Sequence, residues 1–437
     1  IKFIKRIMIQ GFSKLTKTQK REFIAEKFLA NKEEVAFFEE YDNPNTALQE
    51  LHDEFIENTI ANYILPLGVA PNFLINNHFF CVPMAIEESS VVAGASKVAK
   101  FWAERGGFTS SVIASEKTGQ VHFFFDGKFS DLEVFFNKIK PLFFKETESI
   151  TQNMQKLGGG ILSIELKNKT SELANYYQLH SIFDTKDAMG ANFINSCLEQ
   201  FAKTLEREAT LYFKENNLDV LMSILSNYVP NCIVKSEVSC PIDQLNYDKT
   251  DGREFAENFV KAIQVANTEI YRAVTHNKGI MNGIDAVVIA TGNDFRAIEA
   301  CAHAYAGRTG KYQSLSYAYI ENDIFHFGIE IPLALGTVGG LTKLHPMVKK
   351  ALNILQNPSA EELMQIIACV GLAQNFAAVG SLITSGIQKG HMKMHLTNIL
   401  NQLGANNEQK TFIINHFKDK TVSHSEVVQL FNEINHS

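Results

Sequence analysis

The chain of 437 residues is poor in the features that would mark a secreted, membrane or nucleic-acid-binding protein. It has six cysteines, at positions 81, 197, 232, 240, 301 and 369, and no CxxC pair among them. That scatter excludes a disulfide framework and a cysteine-based zinc site, and it is the usage of a reducing compartment. No apolar run approaches the ~20 residues of a membrane span. The start, IKFIKRIMIQGF, is basic and apolar but short, and it lacks a small-residue cleavage site. A soluble, cytoplasmic protein is the expectation. There is no excess of positive charge: the net charge is −7, so neither a nucleic acid nor an anionic membrane is expected as partner. An anionic ligand would need a local basic pocket. A full dinucleotide fingerprint is also missing. Gly158-Gly159-Gly160 is followed by Ser163 where a third glycine would stand, and IELK beyond it reads as a strand, which argues against a Rossmann fold.

What is present is an ordinary globular composition, 45% hydrophobic and 20% charged, with 33 phenylalanines against one tryptophan. The length allows two or three domains. Residues 11–64 read helical, with Thr16 and Asn31 as caps and a helix from Thr46 to Ile64. Asn76-Asn77 divides two β-rich runs, which predicts a hairpin. It ends at Glu87-Glu88, and an amphipathic helix follows from Ser89 to Ala103. From about Ser115 shorter, Phe-rich segments alternate between strand and helix. Asp187 reads as the N-cap of a long helix with Met189 and Gly190 in its first turn, reaching about Glu208 and burying Ile194, Cys197, Leu198, Phe201 and Leu205. Asp251 to Asn267 reads as one helix. Hairpin-like segments follow Tyr312, then a glycine-rich turn, GTVGGLTKLHP, read as close packing of backbone, and two helices. Near the C-terminus His391 and His395 are one helical turn apart. Met392 stands where a zincin carries its glutamate, no third ligand is apparent, and no metal is expected.

The densest chemistry lies between Tyr271 and Glu299, YRAVTHNKGIMNGIDAVVIATGNDFRAIE. Arg272 can neutralise an anionic substrate group, and Lys278 can sit where a carbonyl oxygen becomes negative. Asp294 can hold that lysine charged. Asn282-Gly283 reads as a turn, Ala286 to Ala290 as a buried run, and Asp294 as a helix N-cap. A loop, a buried element and a cap with surface charges fit the same residues. Likewise the Glu87-Glu88 pair serves either as a helix-dipole complement or, on burial, as a general acid.

The words THNKGIMNGIDA and ATGNDFRAIEA, with VP-x(4)-E-x-S-x-VA at Val82 to Ala93 and DAMGAN at 187–192, resemble the class II (bacterial, soluble) 3-hydroxy-3-methylglutaryl-CoA (HMG-CoA) reductases. The resemblance spans roughly residues 55–400. It implies an α/β (α+β) fold: a large mixed substrate-binding domain (1–114 and 228–385), an inserted small antiparallel-sheet, ferredoxin-like nucleotide domain (115–227) and a helical C-terminal flap (386–437) hinged at Gly386 and Gly390.

The implied reaction reduces HMG-CoA with NAD(P)H, in two hydride steps, through a hemithioacetal and an aldehyde, to mevalonate and CoA. Some relatives run mevalonate oxidation instead, and an inactive CoA-binding scaffold is a third possibility. By the same resemblance Glu88, Lys278, Asp294 and His391 are catalytic. Arg272, Asn282, Ser90, Gln374 and Asn375 bind substrate. Asp187, Ala188, Met189, Gly190 and Asn192 hold the nucleotide, exposed N–H groups at a helix N-terminus suiting a pyrophosphate. Thr151 stands where NADH-using relatives carry an acid near the ribose, which favours NADPH over NADH. A homodimer with active sites at the subunit interface is implied. A Schiff-base enzyme built on Lys278 would need a phosphate cup and a pyridinium partner, and neither is found.

Overall fold

The computed structural model describes residues 8–29, 31, 33–214, 217–384, 396–397, 399–417 and 422–435. The chain divides into two compact units, Ile1–Pro66 and Leu67–Ser437.

In the first unit, Thr16 and Gln19 exchange bonds as a capping box ahead of α1 (Lys17–Ile24). Asn31 accepts from the Glu33 amide at 3.0 Å, just before α2 (Glu34–Glu40), whose cap position is Glu33 itself. The long helix expected from Thr46 stops early: α3 runs Thr46–Asp53, and the chain turns beyond it, with Asn58 at φ 57°. Charge does much of the holding here. Arg21 is buried, and its guanidinium meets Asp42 at 2.7 Å and the Ile60 carbonyl at 2.6 Å. Lys17 bridges Asp42 and Asp53 at 2.8 and 2.7 Å. Burial raises the Asp42 pKa, but Arg21 and Lys17 outweigh that and hold it below the usual carboxylate range.

The second unit opens with the expected hairpin, β1 (Leu67–Ile75) against β2 (His78–Ala85). Asn76 and Asn77 both have positive φ, as the tight turn that matches strand twist requires. Helix α4 (Val91–Ala103) follows. Strand β3 (Thr109–Val112) then joins a sheet completed much later in the chain. Between them lies a βαββαβ unit: β4 (Lys117–Phe125), α5 (Phe129–Glu146), α6 (Glu148–Lys156), β5 (Gly160–Asn168), β6 (Tyr176–Asp184), α7 (Ala191–Tyr212) and β7 (Leu218–Leu225). Its strands lie in the order β5-β6-β4-β7 with every pair antiparallel. This is the ferredoxin-like arrangement. Phe123, Phe125, Phe135, Phe143 and Phe201 fill its core, with the α7 residues Ile194, Cys197, Leu198 and Leu205.

The other sheet has the order β3-β8-β10-β9, with β8 (Ile233–Pro241), β9 (Ser316–Glu321) and β10 (Ile324–Pro332). Packed with it are α8 (Gly252–Thr268), α9 (Ile270–Ala290), α10 (Phe295–Ala306), α11 (Leu341–Leu344), α12 (Pro346–Ile354) and α13 (Ala360–Ile383). Their core includes Trp102 edge-on to Phe376 at 5.3 Å. Helices Asn407–His416 and His424–Asn435 share a small cluster of their own with Leu396, Ile399 and Leu400.

Two expectations are corrected. No turn forms at Asn282-Gly283: α9 runs unbroken from Ile270 to Ala290. Glycine costs a helix interior about 1 kcal/mol, yet here it lets α13 approach, since a Cβ at 283 would lie 2.8 Å from Gln374 Cβ and 3.0 Å from the Val370 carbonyl. Nor is the chain without a span-length apolar run. Helix α13 is long and apolar enough to cross a membrane, alone among the described residues, and most of it is buried inside the protein.

Candidate active site and nucleotide loop

Lys278 lies on the exposed side of α9, and Glu88 at the turn between β2 and α4. Lys278 Nζ donates to Glu88 Oε2 at 2.8 Å across a sequence separation of 190 residues. Both side chains keep access to solvent, 59% for the lysine and 38% for the glutamate. An exposed pair of this kind contributes only about 0–1 kcal/mol to stability. Ser90 caps α4 in the left-handed region, φ 74°, and its hydroxyl takes no part in capping.

The two residues before Lys278 hold its helix rigidly. Asn277 gives its amide to the Gln313 carbonyl and accepts from the Leu315 amide. His276 Nε2 lies 2.7 Å from Ser316 Oγ, Ser316 donates to Asn375 Oδ1 at 2.8 Å, and the Asn375 amide reaches His276 Nδ1 at 3.5 Å. The ring closes only with the proton on Nε2, the tautomer the network assigns. Burial, and then the Arg272 charge, push His276 down to about 3, so it stays neutral. Asn375, expected in the substrate pocket, is instead buried inside this scaffold, where its polar atoms are spent on His276 and Ser316. Its neighbour Gln374 differs. It is buried against Gly94 of α4, and its Oε1 has no partner among the described residues.

Asp294 caps α10, accepting from the Arg296 and Ala297 amides, and pairs with Arg296 at 3.1 Å. Burial raises the Asp294 pKa, but the Arg296 and backbone bonds outweigh this and hold it low. The expected Lys278–Asp294 contact is therefore replaced by Lys278–Glu88 and Asp294–Arg296. Arg272 is half-buried, and among the described residues no carboxylate lies within ion-pair reach of it. Asn282 stands one turn beyond Lys278, partly exposed. His391 and the hinge glycines Gly386 and Gly390 lie outside the described residues.

Asp285 was not singled out in the sequence. It follows Lys278 by seven residues and Asn282 by three, so all three share one stripe of α9. It pairs with Glu299 of α10, and burial, then that neighbour, raise it to about 8. Two carboxyls there share a proton. Reading α9 as one helix would have placed it.

The word DAMGAN forms the loop between β6 and α7. Gly190, not Asp187, occupies the cap position, with φ 88°, and α7 begins at Ala191, one residue past the expected first turn, and extends to Tyr212. Only glycine fits, since a Cβ there would meet Thr185 Cγ2 at 2.4 Å. Asp187 serves a distant helix: its carboxylate accepts from the Ala360 amide at 2.8 Å, at the start of α13. Asn192 is exposed in the first turn of α7. Ala188 and Met189 lie against Gly336, where a Cβ would come within 2.3 Å of the Met189 nitrogen, so the glycine-rich turn is indeed a close backbone contact. A cavity of about 490 Å³ opens beside the loop, bordered by Met154, Leu157, Lys186, Asp187 and Ala188. Thr151 is not on it. It is buried in α6, with its hydroxyl turned to the Glu148 carbonyl, so it offers nothing to a ribose.

A paired lysine and glutamate, an arginine with no carboxylate in reach among the described residues and a helix-N-terminal loop thus sit on a mixed α+β fold with a ferredoxin-like insert, and its relatives are oxidoreductases. The chain belongs to the hydroxymethylglutaryl-coenzyme A reductase family, whose model matches residues 16–396. It is 38% identical over 404 residues to the 3-hydroxy-3-methylglutaryl-coenzyme A reductase of Archaeoglobus fulgidus, covering 92% of this chain and 88% of that one. It is 32% identical to a probable enzyme of that name from Borreliella burgdorferi, covering 97% and 94%. Among solved structures it is similar to the class II reductase of Streptococcus pneumoniae bound to NADPH in open conformations, with TM-score 0.71, 34% identity and 92% and 98% coverage.

Proposed function

We propose that this chain reduces HMG-CoA to mevalonate and CoA with a nicotinamide dinucleotide. The observation that carries the reading is the Lys278–Glu88 pair at 2.8 Å, on a helix that also carries the half-buried Arg272, which no carboxylate neutralises within the described residues. The loop fits the nucleotide by its donor set: α7 opens at Gly190 with no side chain capping its first amides, which are left for a pyrophosphate. When bound, the nucleotide supplies hydride, once to the thioester and once to the aldehyde.

Lys278 stabilises the oxygen that becomes negative at each reduction, a role worth about 3–4 kcal/mol for such a donor. Glu88 supplies the proton to that oxygen. Covering the pair with substrate desolvates both charges, which lowers the cost of moving a proton between them. Asp294 keeps the local field negative for the lysine, acting from the cap of α10. Arg272 takes the free carboxylate of the substrate, with Ser90, Asn282 and the unpartnered Gln374 Oε1 as neutral partners. His391 protonates the departing thiolate as part of a flap (386–437), and the rest of the chain divides into a large domain (1–114, 228–385) and a nucleotide domain (115–227). The working unit is a homodimer with sites at its interface.

The preference for NADPH over NADH rests on Lys186, not on Thr151. Its ammonium stands at the cavity, held by Asp184 at 2.6 Å, where a 2′-phosphate can compete for it. The test is loss of reduced-nicotinamide absorbance with HMG-CoA, run in parallel with NADPH and NADH, for the native chain and Lys186→Glu. Turnover that prefers NADPH in the native chain and NADH in the variant supports both parts. Turnover that prefers NADH in both removes the Lys186 assignment, and no turnover removes the reductase reading.

A further inference from the structure

We propose that Lys117 is the positioning residue of the nucleotide loop, a buried ammonium that clamps residues 185–190 from beneath and sets a positive charge behind the pyrophosphate end of α7. This rests on the reading that the loop takes a nucleotide.

Lys117 opens β4 and is 5% exposed. Its Nζ donates to Thr185 Oγ1 at 2.6 Å, to the Ala188 carbonyl at 2.7 Å and to the Leu335 carbonyl at 3.3 Å. Three protons thus meet three neutral oxygens, and no carboxylate is in ion-pair reach among the described residues. Burial lowers its pKa, and Cys232 and then the more distant Asp184 and Asp187 recover only part of that. A buried charge satisfied by dipoles alone is an expensive way to fill space. A neutral hydrogen-bonding side chain could tie these segments together at a lower desolvation cost, so the charge itself asks for a use. An anion arriving at the first turn of α7 supplies one.

The clamp also explains the loop's shape. The Ala188 carbonyl accepts from both Lys117 and Thr185 Oγ1, the latter at 2.7 Å, while the Ala188 amide returns to the Thr185 carbonyl at 3.0 Å. Leu335 brings in the segment whose Gly336 packs on Met189. One ammonium therefore ties β4, the loop and the exit of β10 together, and fixes the direction in which the α7 amides point.

The test compares ADP-ribose, which carries the pyrophosphate, with adenosine, which does not. The proteins are the full-length native chain, Lys117→Met, Thr185→Val and Thr185→Ser. For Lys117→Met, ADP-ribose affinity is expected to fall about tenfold or more, a loss of one charge-assisted contact's worth. Adenosine affinity and the KM for HMG-CoA should stay within about twofold, the scale of an indirect effect. Thr185→Val should follow in part, and Thr185→Ser, which keeps the acceptor, should match the native chain. Unchanged ADP-ribose binding in Lys117→Met overturns the proposal. So does equal loss of both ligands together with the melting temperature, which is what a merely structural lysine gives. If Lys117→Met does not fold, the Val-versus-Ser comparison decides: equal ADP-ribose affinities overturn the proposal. A native chain that turns over HMG-CoA while Lys117→Met binds ADP-ribose normally rejects only this inference. A native chain that binds neither fragment rejects the nucleotide reading as well.

Discussion

Lys278 and Glu88 meet at 2.8 Å with more than half of the lysine side chain open to solvent, on a helix whose preceding two residues are locked by four side-chain hydrogen bonds. The scaffold is rigid and the charges are accessible, which is what a site needs when the ligand itself must complete the burial.

Truncation of the pair should therefore separate activity from stability. Lys278→Ala is expected to lower kcat by about 10²–10³, the loss seen when one oxyanion donor is removed. Its melting temperature should stay within about 2 °C, because an exposed pair is worth little. Steady-state kinetics with scanning calorimetry on the same preparation check both halves. A variant that melts early while keeping its kcat would mean the lysine is structural.

His276 gives the chain an acid limit. Its folded value of about 3 lies below the unfolded one near 6.5. The sign follows: the contribution is intact above about 6.5 and is lost as pH falls from there toward 3, because the unfolded chain takes up the proton first. By pH 5 the loss is about 2 kcal/mol. Denaturant melts of the native chain and His276→Gln between pH 7 and 4.5 should show a shallower acid slope in the variant. Parallel slopes would mean the histidine titrates normally.

How much of this was legible depends on how far away the deciding partner sits. The β1–β2 hairpin could be read from its Asn-Asn turn, since φ preference is a local property. The helix through Asn282-Gly283 was misread as a turn because its reason is α13, about ninety residues further on, fitting against Gly283. Asp187 obeys cap grammar but spends its carboxylate on an amide 173 residues away. Lys278 and Glu88 were found through the words around them, while Asp285, Lys117 and the His276 ring had no local signature. Their roles exist only once three segments have packed.

Asp285 and Glu299 set an alkaline limit of opposite sign. Burial, then Glu299, raise Asp285 to about 8, above its usual 3.8. The shared proton's contribution is full below about 3.8 and disappears as pH rises to about 8, because the folded state holds the proton more tightly. Asp285→Asn keeps a donor to Glu299 without needing that proton. Its melting temperature should fall less than that of the native chain between pH 6 and 9, and exceed it at pH 9. Curves that stay parallel would remove the shared proton from the account.

Two glycines on α9 should respond with opposite signs to the same change. At Gly283 an added Cβ meets Gln374 Cβ at 2.8 Å and the Val370 carbonyl at 3.0 Å, and the backbone of α13 has to shift. Overpacking of this kind costs about 1–3 kcal/mol. It also displaces Gln374, whose free Oε1 was assigned to the substrate, so Gly283→Ala should raise the KM for HMG-CoA along with its loss of stability. At Gly279 the nearest atom is Ala378 Cβ at 3.8 Å, an ordinary contact. There the gain in helix propensity, about 0.8–1 kcal/mol, is unopposed, so Gly279→Ala should melt at or above the native temperature. Thermal melts of the two single variants decide between close helix packing and simple helix propensity as the reason for Gly283. If both are stabilising, α13 does not press on α9 as described.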